Sequence, residues 1–149
     1  MAEQAAFRGR DHRAPCESLD EARKAHARHV KLGVDRSLRH ARPLLAACAL
    51  AADWPGSMAY AASIFAALDD PEAFDYNTLM RGYVAGGGGG GRDPAAALRL
   101  FVDMVDDGVE PDSYTFPFVF KACAQLGALQ EGRQVTVSAH TDLSTVRVI

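Results

Sequence analysis

Apolar residues along this chain recur in helical stripes, not in strand alternation. Four stretches carry the pattern: "SLDEARKAHARHV", "SMAYAASIFAAL", "PAAALRLFVDMV" and "ALQEGRQVTV". Aligned on one small residue in each, Ala22, Ala61, Ala97 and Gly132, they recur at intervals of 39, 36 and 35 residues. That period is the signature of a two-helix repeat. Four residues further on stand His26, Phe65, Phe101 and Thr136. Small-then-large at i, i+4 lets a neighbouring helix approach closely and fills the space one turn above it.

A second helix is predicted before each of the last three. "ARPLLAACALA", "DYNTLMRGYVA" and "TFPFVFKACAQLG" align on Leu44-Leu45, Leu79-Met80 and Val119-Phe120, with Cys48, Tyr83 and Cys123 one turn later. Leu44 to Leu79 is 35 residues and Leu79 to Val119 is 40. The surplus is close to the length of the glycine run at 86–91. The run therefore falls between the two helices of one hairpin and leaves both faces in register. Lengthening such a loop costs only about 0.6 kcal/mol per doubling, so the run reads as a neutral length change. A phosphate-cradling glycine loop would need a preceding strand and a following Lys-Ser/Thr. Neither is present.

The punctuation between stripes agrees with helices. In "DGVEPDS", Gly108 suits a helix C-cap, Pro111 a stop, and Asp112 or Ser113 the next N-cap. "KLGVDRS" repeats the Gly-Val pattern, and "WPGSM" gives a Pro-Gly turn with Ser57 as the predicted N-cap. The predicted fold class is all-α, an α-solenoid of antiparallel helix-turn-helix repeats.

Composition narrows the function. Of 149 residues, 48% are hydrophobic and 23% charged, as in ordinary globular domains. No apolar run reaches the length of a membrane span. The net charge of −3 argues against broad attraction to nucleic acid. The charge is uneven, however: residues 1–42 hold ten Lys/Arg and six Asp/Glu, and the remainder six against thirteen. Cys16, Cys48 and Cys123 are odd in number and widely spaced, which suits reduced, buried thiols better than a disulfide framework or zinc site. "MAEQAAFRGRDHRAP" has no apolar core, so it is no secretory signal, and it matches an organellar transit peptide poorly. His26 and His29 lie at i, i+3 but have no further metal ligands nearby in sequence. No nucleophile elbow, P-loop or dinucleotide fingerprint occurs. No catalytic set, cofactor or metal is expected.

"FDYNTLMRGYV" with "DPAAALRLFVDMVDDGVEPD" resembles a pentatricopeptide repeat, and "SYTFPFVFKACAQLGALQEGRQV" resembles the long variant of proteins that alternate standard, long and short repeats, the PLS type. "ESLDEARKAHARHVKLGVDRS" is similar to the second half of another long repeat, and "LRHARPLLAACALAADWPGSMAYAASIFAALDDPE" to a short one. The resemblance implies an N-terminal extension over 1–16 (expected to be disordered), a partial long repeat over 17–37, a short repeat over 38–72, a standard repeat over 73–112 and a long repeat over 113–149, atypical after 135. The incomplete first and last hairpins lead to the expectation of a fragment or a truncated product.

The family binds single-stranded RNA, one base per repeat. By resemblance, base preference is set by the fifth and last repeat positions, here Asn77 and Asp112, and an Asn/Asp pair favours uracil. Phe74 and Tyr114, at the second position of successive repeats, would sandwich the base. Arg42 and Glu72 hold the two positions in the short repeat, a pairing with no translation. Pro117 offers no side-chain hydrogen bond at the fifth position of the long repeat. The implied partners are single-stranded RNA and RNA-editing or RNA-processing proteins, with no membrane, in a mitochondrion or chloroplast. Some PLS proteins carry a zinc-deaminase-like extension, whose H-x-E and P-C-x-x-C signatures are lacking here. The expected function is selective RNA binding in organellar RNA processing or C-to-U editing-site recognition. The alternatives are a protein-binding helical scaffold of the tetratricopeptide kind, or a non-functional truncated product.

Overall fold

A computed structural model of the protein describes residues 16–87, 91–129, 135–136 and 147–148. Of the predicted N-terminal extension over 1–16, residues 1–15 lie outside the described residues, and Cys16 is buried. Six helices follow one another: α1 Leu19–Leu32, α2 Leu38–Leu50, α3 Ser57–Ala66, α4 Ala73–Ala85, α5 Pro94–Asp106 and α6 Thr115–Leu129. The fold is the all-α repeat array that the periodicity predicts. Most of the fourth stretch, "ALQEGRQVTV", lies outside the described residues. Its Val135–Thr136 forms not helix but a two-residue strand, β1, antiparallel to β2 at Arg147–Val148. No helix among the described residues is long and apolar enough to cross a membrane.

Local chemistry explains where the helices begin and end. Ser18 caps α1 by accepting the Glu21 N–H at 3.2 Å, and Asp20 and Glu21 face the positive end of the dipole. Asp93 caps α5 by accepting the Ala96 N–H at 3.0 Å, with Pro94 in the first turn where its missing N–H costs nothing. The two Gly-Val sequences close α1 and α5 identically. Gly33 and Gly108 take left-handed φ values of 68° and 75°. Each glycine N–H reaches back three residues, to Val30 and Val105, and each following valine N–H reaches back five, to His29 and Met104. Ser57 departs from expectation: Gly56 holds the N-cap position of α3, and Ser57 lies inside the first turn, buried, with its hydroxyl oxygen unpartnered.

The register residues form the core. Ala22, Ala61 and Ala97 are all buried, as are the paired leucine-type positions Leu44-Leu45 and Leu79-Met80. Removing each large one from water contributes about 1.5–3 kcal/mol. The first helices α2, α4 and α6 pack side by side, while α3 packs on α2 and α5 on α4. Phe65 meets Tyr76 edge-on at 4.8 Å between centroids, linking one hairpin to the next. Phe120 breaks the series: at the position of Leu45 and Met80 it is 53% exposed. No further hairpin follows α6 among the described residues to cover it.

The glycine run does more than add length. Gly86 caps α4 at φ 82°, and a Cβ on Gly87 would stand 2.2 Å from the Ala49 carbonyl oxygen. Gly82, inside α4, has the same neighbour at 2.6 Å and the Met58 sulfur at 2.7 Å. Both glycines let α4 and its exit lie directly on the C-terminal end of α2. Gln125 of α6 then donates to the Val84 carbonyl at 2.9 Å, satisfying an orphan acceptor at the end of α4.

Candidate functional site

The fifth and last positions of the 73–112 segment meet across the junction with α6. Asn77 sits in the second turn of α4, and its Nδ2 donates to Asp112 Oδ1 at 2.9 Å. Asp112 also caps α6, with Oδ1 accepting the backbone N–H groups of Tyr114 at 2.9 Å and Thr115 at 3.1 Å. Thr115 returns the favour: its hydroxyl accepts the Asp112 N–H at 3.0 Å. That hydroxyl has one proton and two acceptors in range, Asn77 Oδ1 at 2.8 Å and Asp112 Oδ1 at 3.1 Å. Asp112 Oδ1 already accepts three donors, so the proton belongs on Asn77 Oδ1.

This arrangement fixes the amide. Its oxygen faces the Thr115 hydroxyl and its nitrogen faces the carboxylate. One N–H and one oxygen lone pair of Asn77 stay uncommitted. Asn77 is only 7% exposed and Thr115 is fully buried. Burial pushes the Asp112 carboxyl up; hydrogen bonds from Asn77, the Tyr114 N–H and Thr115 outweigh it and hold the carboxyl below its ordinary range.

Phe74, Asn77, Thr78, Arg81, Asp112, Tyr114 and Phe118 line one open cleft of about 400 Å³. The structure thus brings the four candidate residues Phe74, Asn77, Asp112 and Tyr114 together. Phe74, in the first turn of α4, is 55% exposed, and Tyr114, in the turn before α6, is 72% exposed. Capping and core packing account for Asp112 and Thr115 but give no reason for two largely exposed rings in the same cleft as a fixed amide.

One hairpin earlier the corresponding site is built differently. Arg42 of α2 donates from Nε to Asp75 Oδ1 at 2.8 Å and from Nη2 to Asp75 Oδ2 at 3.0 Å and to Glu72. Its guanidinium carbon lies 5.2 Å from the Phe74 ring centre. Asp75 and Glu72 form a capping box at the start of α4, with the Glu72 N–H donating to Asp75 Oδ2 at 2.8 Å. The guanidinium is held protonated, well above its ordinary value, chiefly by the hydrogen bonds to Asp75, against the opposing effect of burial.

Residues 71–125 match the family model described as the PPR repeat family. A pentatricopeptide repeat-containing protein of Arabidopsis thaliana is 41% identical over 121 residues, 80% of this chain and 19% of its own length. A second from that plant, named chloroplastic, is 36% identical over 120 residues, 80% of this chain and 15% of its own. A third, also named chloroplastic, is 42% identical over 79 residues, 53% of this chain and 12% of its own. The chain belongs to the pentatricopeptide repeat family. It spans a fifth or less of the length of these relatives.

Thr78, Arg81 and Phe118 line the candidate cleft and Thr115 orients Asn77, roles that the sequence did not single out. The third residue after each predicted repeat boundary, His40, Asp75 or Thr115, contacts the residue at that boundary, Ser37, Glu72 or Asp112. The described histidines, His26, His29 and His40, behave as surface and packing groups. His26 Nδ1 pairs with the Tyr60 hydroxyl at 2.7 Å, whereas His29 stacks edge-on with His40 at 5.4 Å. No group of three metal-ligating residues converges among the described residues. Cys16, Cys48 and Cys123 are free thiols, and burial raises Cys48 to about 11, so it stays protonated at neutral pH.

Proposed function

We propose that this chain is a sequence-selective single-stranded RNA-binding module in which Asn77 and Asp112 select one uracil between Phe74 and Tyr114. The observation that carries the reading is the fixed Asn77 amide, which keeps one donor and one acceptor uncommitted in a cleft flanked by exposed rings. Uracil offers a carbonyl oxygen beside an N–H, the complement of that pair. Thr115 and Asp112 set which way the amide points, so a base with the reversed pattern meets donor against donor. Stacking on the rings adds about 1–3 kcal/mol without regard to sequence.

The setting this supports is organellar RNA processing, with C-to-U editing-site recognition as the more specific role through the PLS-type resemblance. Two of the relatives quoted above are named chloroplastic, which supports an organelle as the compartment. The reading assigns this chain no chemical step. A reaction on the bound RNA falls to a partner protein or to another part of a longer polypeptide.

The test is binding to short single-stranded RNAs that differ in one base. The chain should favour uridine at one position, and Asn77→Ala should abolish that preference while leaving residual, sequence-blind stacking. So few hairpins read so few bases that binding by this chain alone should be weaker than nanomolar. Equal binding of all four bases by the unaltered chain would refute the reading and favour a protein-binding helical scaffold.

A further inference from the structure

We infer that the slot between the 38–72 and 73–112 segments is closed to a base by its own side chains, and that Arg42 makes it silent in sequence selection. The inference rests on the RNA reading of the Asn77 cleft and extends it to the neighbouring hairpin.

Both slots use the same three frame positions. They are 42, 72 and 75 in one and 77, 112 and 115 in the other. The second holds Asn, Asp and Thr, whose neutral amide keeps one donor and one acceptor free. The first holds Arg, Glu and Asp. A guanidinium has no acceptor, so it cannot match an edge that offers both a donor and an acceptor. Its Nε–H and both Nη2 hydrogens already go to Asp75 and Glu72.

Asp75 makes the closure firm. Its side chain is fully buried, and both oxygens are occupied: Oδ1 by Arg42 Nε, Oδ2 by Arg42 Nη2 and the Glu72 N–H. A base entering this slot would have to draw Arg42 off a carboxylate with no water to replace it, which is strongly unfavourable. Arg42 itself is 29% exposed, and any contact it made to a phosphate would carry no sequence information. The guanidinium carbon also lies over Phe74, the ring that lines the Asn77 cleft. One side chain thereby shuts its own slot and backs the stacking platform of the next.

The experiment measures binding of RNA oligonucleotides with uridine fixed for the Asn77 slot and each adjacent nucleotide varied through four bases. The unaltered chain should discriminate at one position and by less than about twofold at its neighbours, against the fivefold or more expected of a good paired readout. The triple variant R42N/E72D/D75T copies the Asn77 triad and strands no charge. It should gain a second, adjacent uridine preference of about fivefold. Arg42→Lys, which keeps a cation beside Asp75 but loses the planar fork, should stay unselective next door and bind uridine at the Asn77 slot several-fold less tightly. Discrimination at two adjacent positions by the unaltered chain overturns the closed slot and leaves the Asn77 reading standing. So does a triple variant that retains its helical spectrum and cooperative melt yet gains no preference. If that variant does not fold, the unaltered chain and Arg42→Lys decide. No binding to any oligonucleotide overturns the RNA reading, and the closed slot with it.

Discussion

The Arg42 slot and the Asn77 slot are one hairpin apart and share a frame, yet opposite physics holds them. The first is an ion pair over a carboxylate that is completely buried. The second is a chain of neutral and capping hydrogen bonds in which only Asp112 is charged, at an exposed position. A buried charge must be matched in full, so its partner has no freedom left. A buried amide can be half matched, because each unmade bond costs far less than a stranded charge. The contrast separates a residue that welds two hairpins from one that keeps capacity for a ligand.

The largest effect should come from removing the buried charge of the Arg42 slot. Asp75→Ala should destabilise the chain by about 3 kcal/mol, at the low end for a broken buried pair because Arg42 is partly solvated. Urea unfolding followed by helical circular dichroism measures it. A loss under about 1 kcal/mol, the size of one ordinary hydrogen bond, would mean that the two slots differ in appearance but not in energetics.

Gly82→Ala tests whether both slots depend on the close seating of α4 against α2. The added Cβ would meet the Ala49 carbonyl oxygen at 2.6 Å, and backbone cannot swing aside as a side chain can. A cost of about 2 kcal/mol is expected from overpacking, despite the better helix propensity of alanine. If the substitution instead stabilises the chain, the two helices have room to part and the slot geometry is not set by that contact.

Much of this was legible in the sequence because solenoids repeat. Ala22, Ala61 and Ala97 are recognisable as a series, and the series alone places the helices and their buried faces. That Asn77 should be set beside Asp112 was legible through the family resemblance, which supplied the two positions to compare. What the sequence hid is contact between unlike positions. Arg42 reaches Asp75, the third residue of the next helix, and nothing in a one-dimensional alignment of fifth and last positions points there. Gly87 reads as spare length until the Ala49 carbonyl is seen beneath it. Ser57 reads as a cap because the sequence "PGS" fits one, but the left-handed Gly56 takes that place. Phe120 belongs to the buried series by spacing yet is 53% exposed, since periodicity does not say which neighbour covers a face.

Asn77→Ala removes the neutral group at the centre of the second slot. Removing the amide leaves the Thr115 hydroxyl and one Asp112 contact without a partner, but alanine suits a helix interior better than asparagine. Stability should change by about 1 kcal/mol or less. Uridine preference should vanish in the same protein. A loss as large as that of Asp75→Ala would show that Asn77 is a weld too, and its uncommitted donor and acceptor would lose their significance.

The smallest effect concerns the charge of Asp112. Its carboxyl titrates below the ordinary aspartate value of about 3.9 in the folded chain. A lowered folded value means that the native state favours the ionised form. The stabilisation is therefore complete above the unfolded value and fades as pH falls through the folded one. Asp112→Asn removes the titration and keeps a good N-cap, so at pH 7 the two proteins should differ by only a few tenths of a kcal/mol. All other carboxylates are common to both and cancel in the difference. Urea midpoints taken from neutral pH down to about pH 3 should show the two proteins converging below about pH 4. A gap that stays constant across that range would mean that the charge does not contribute, and that Asp112 holds Asn77 by geometry alone.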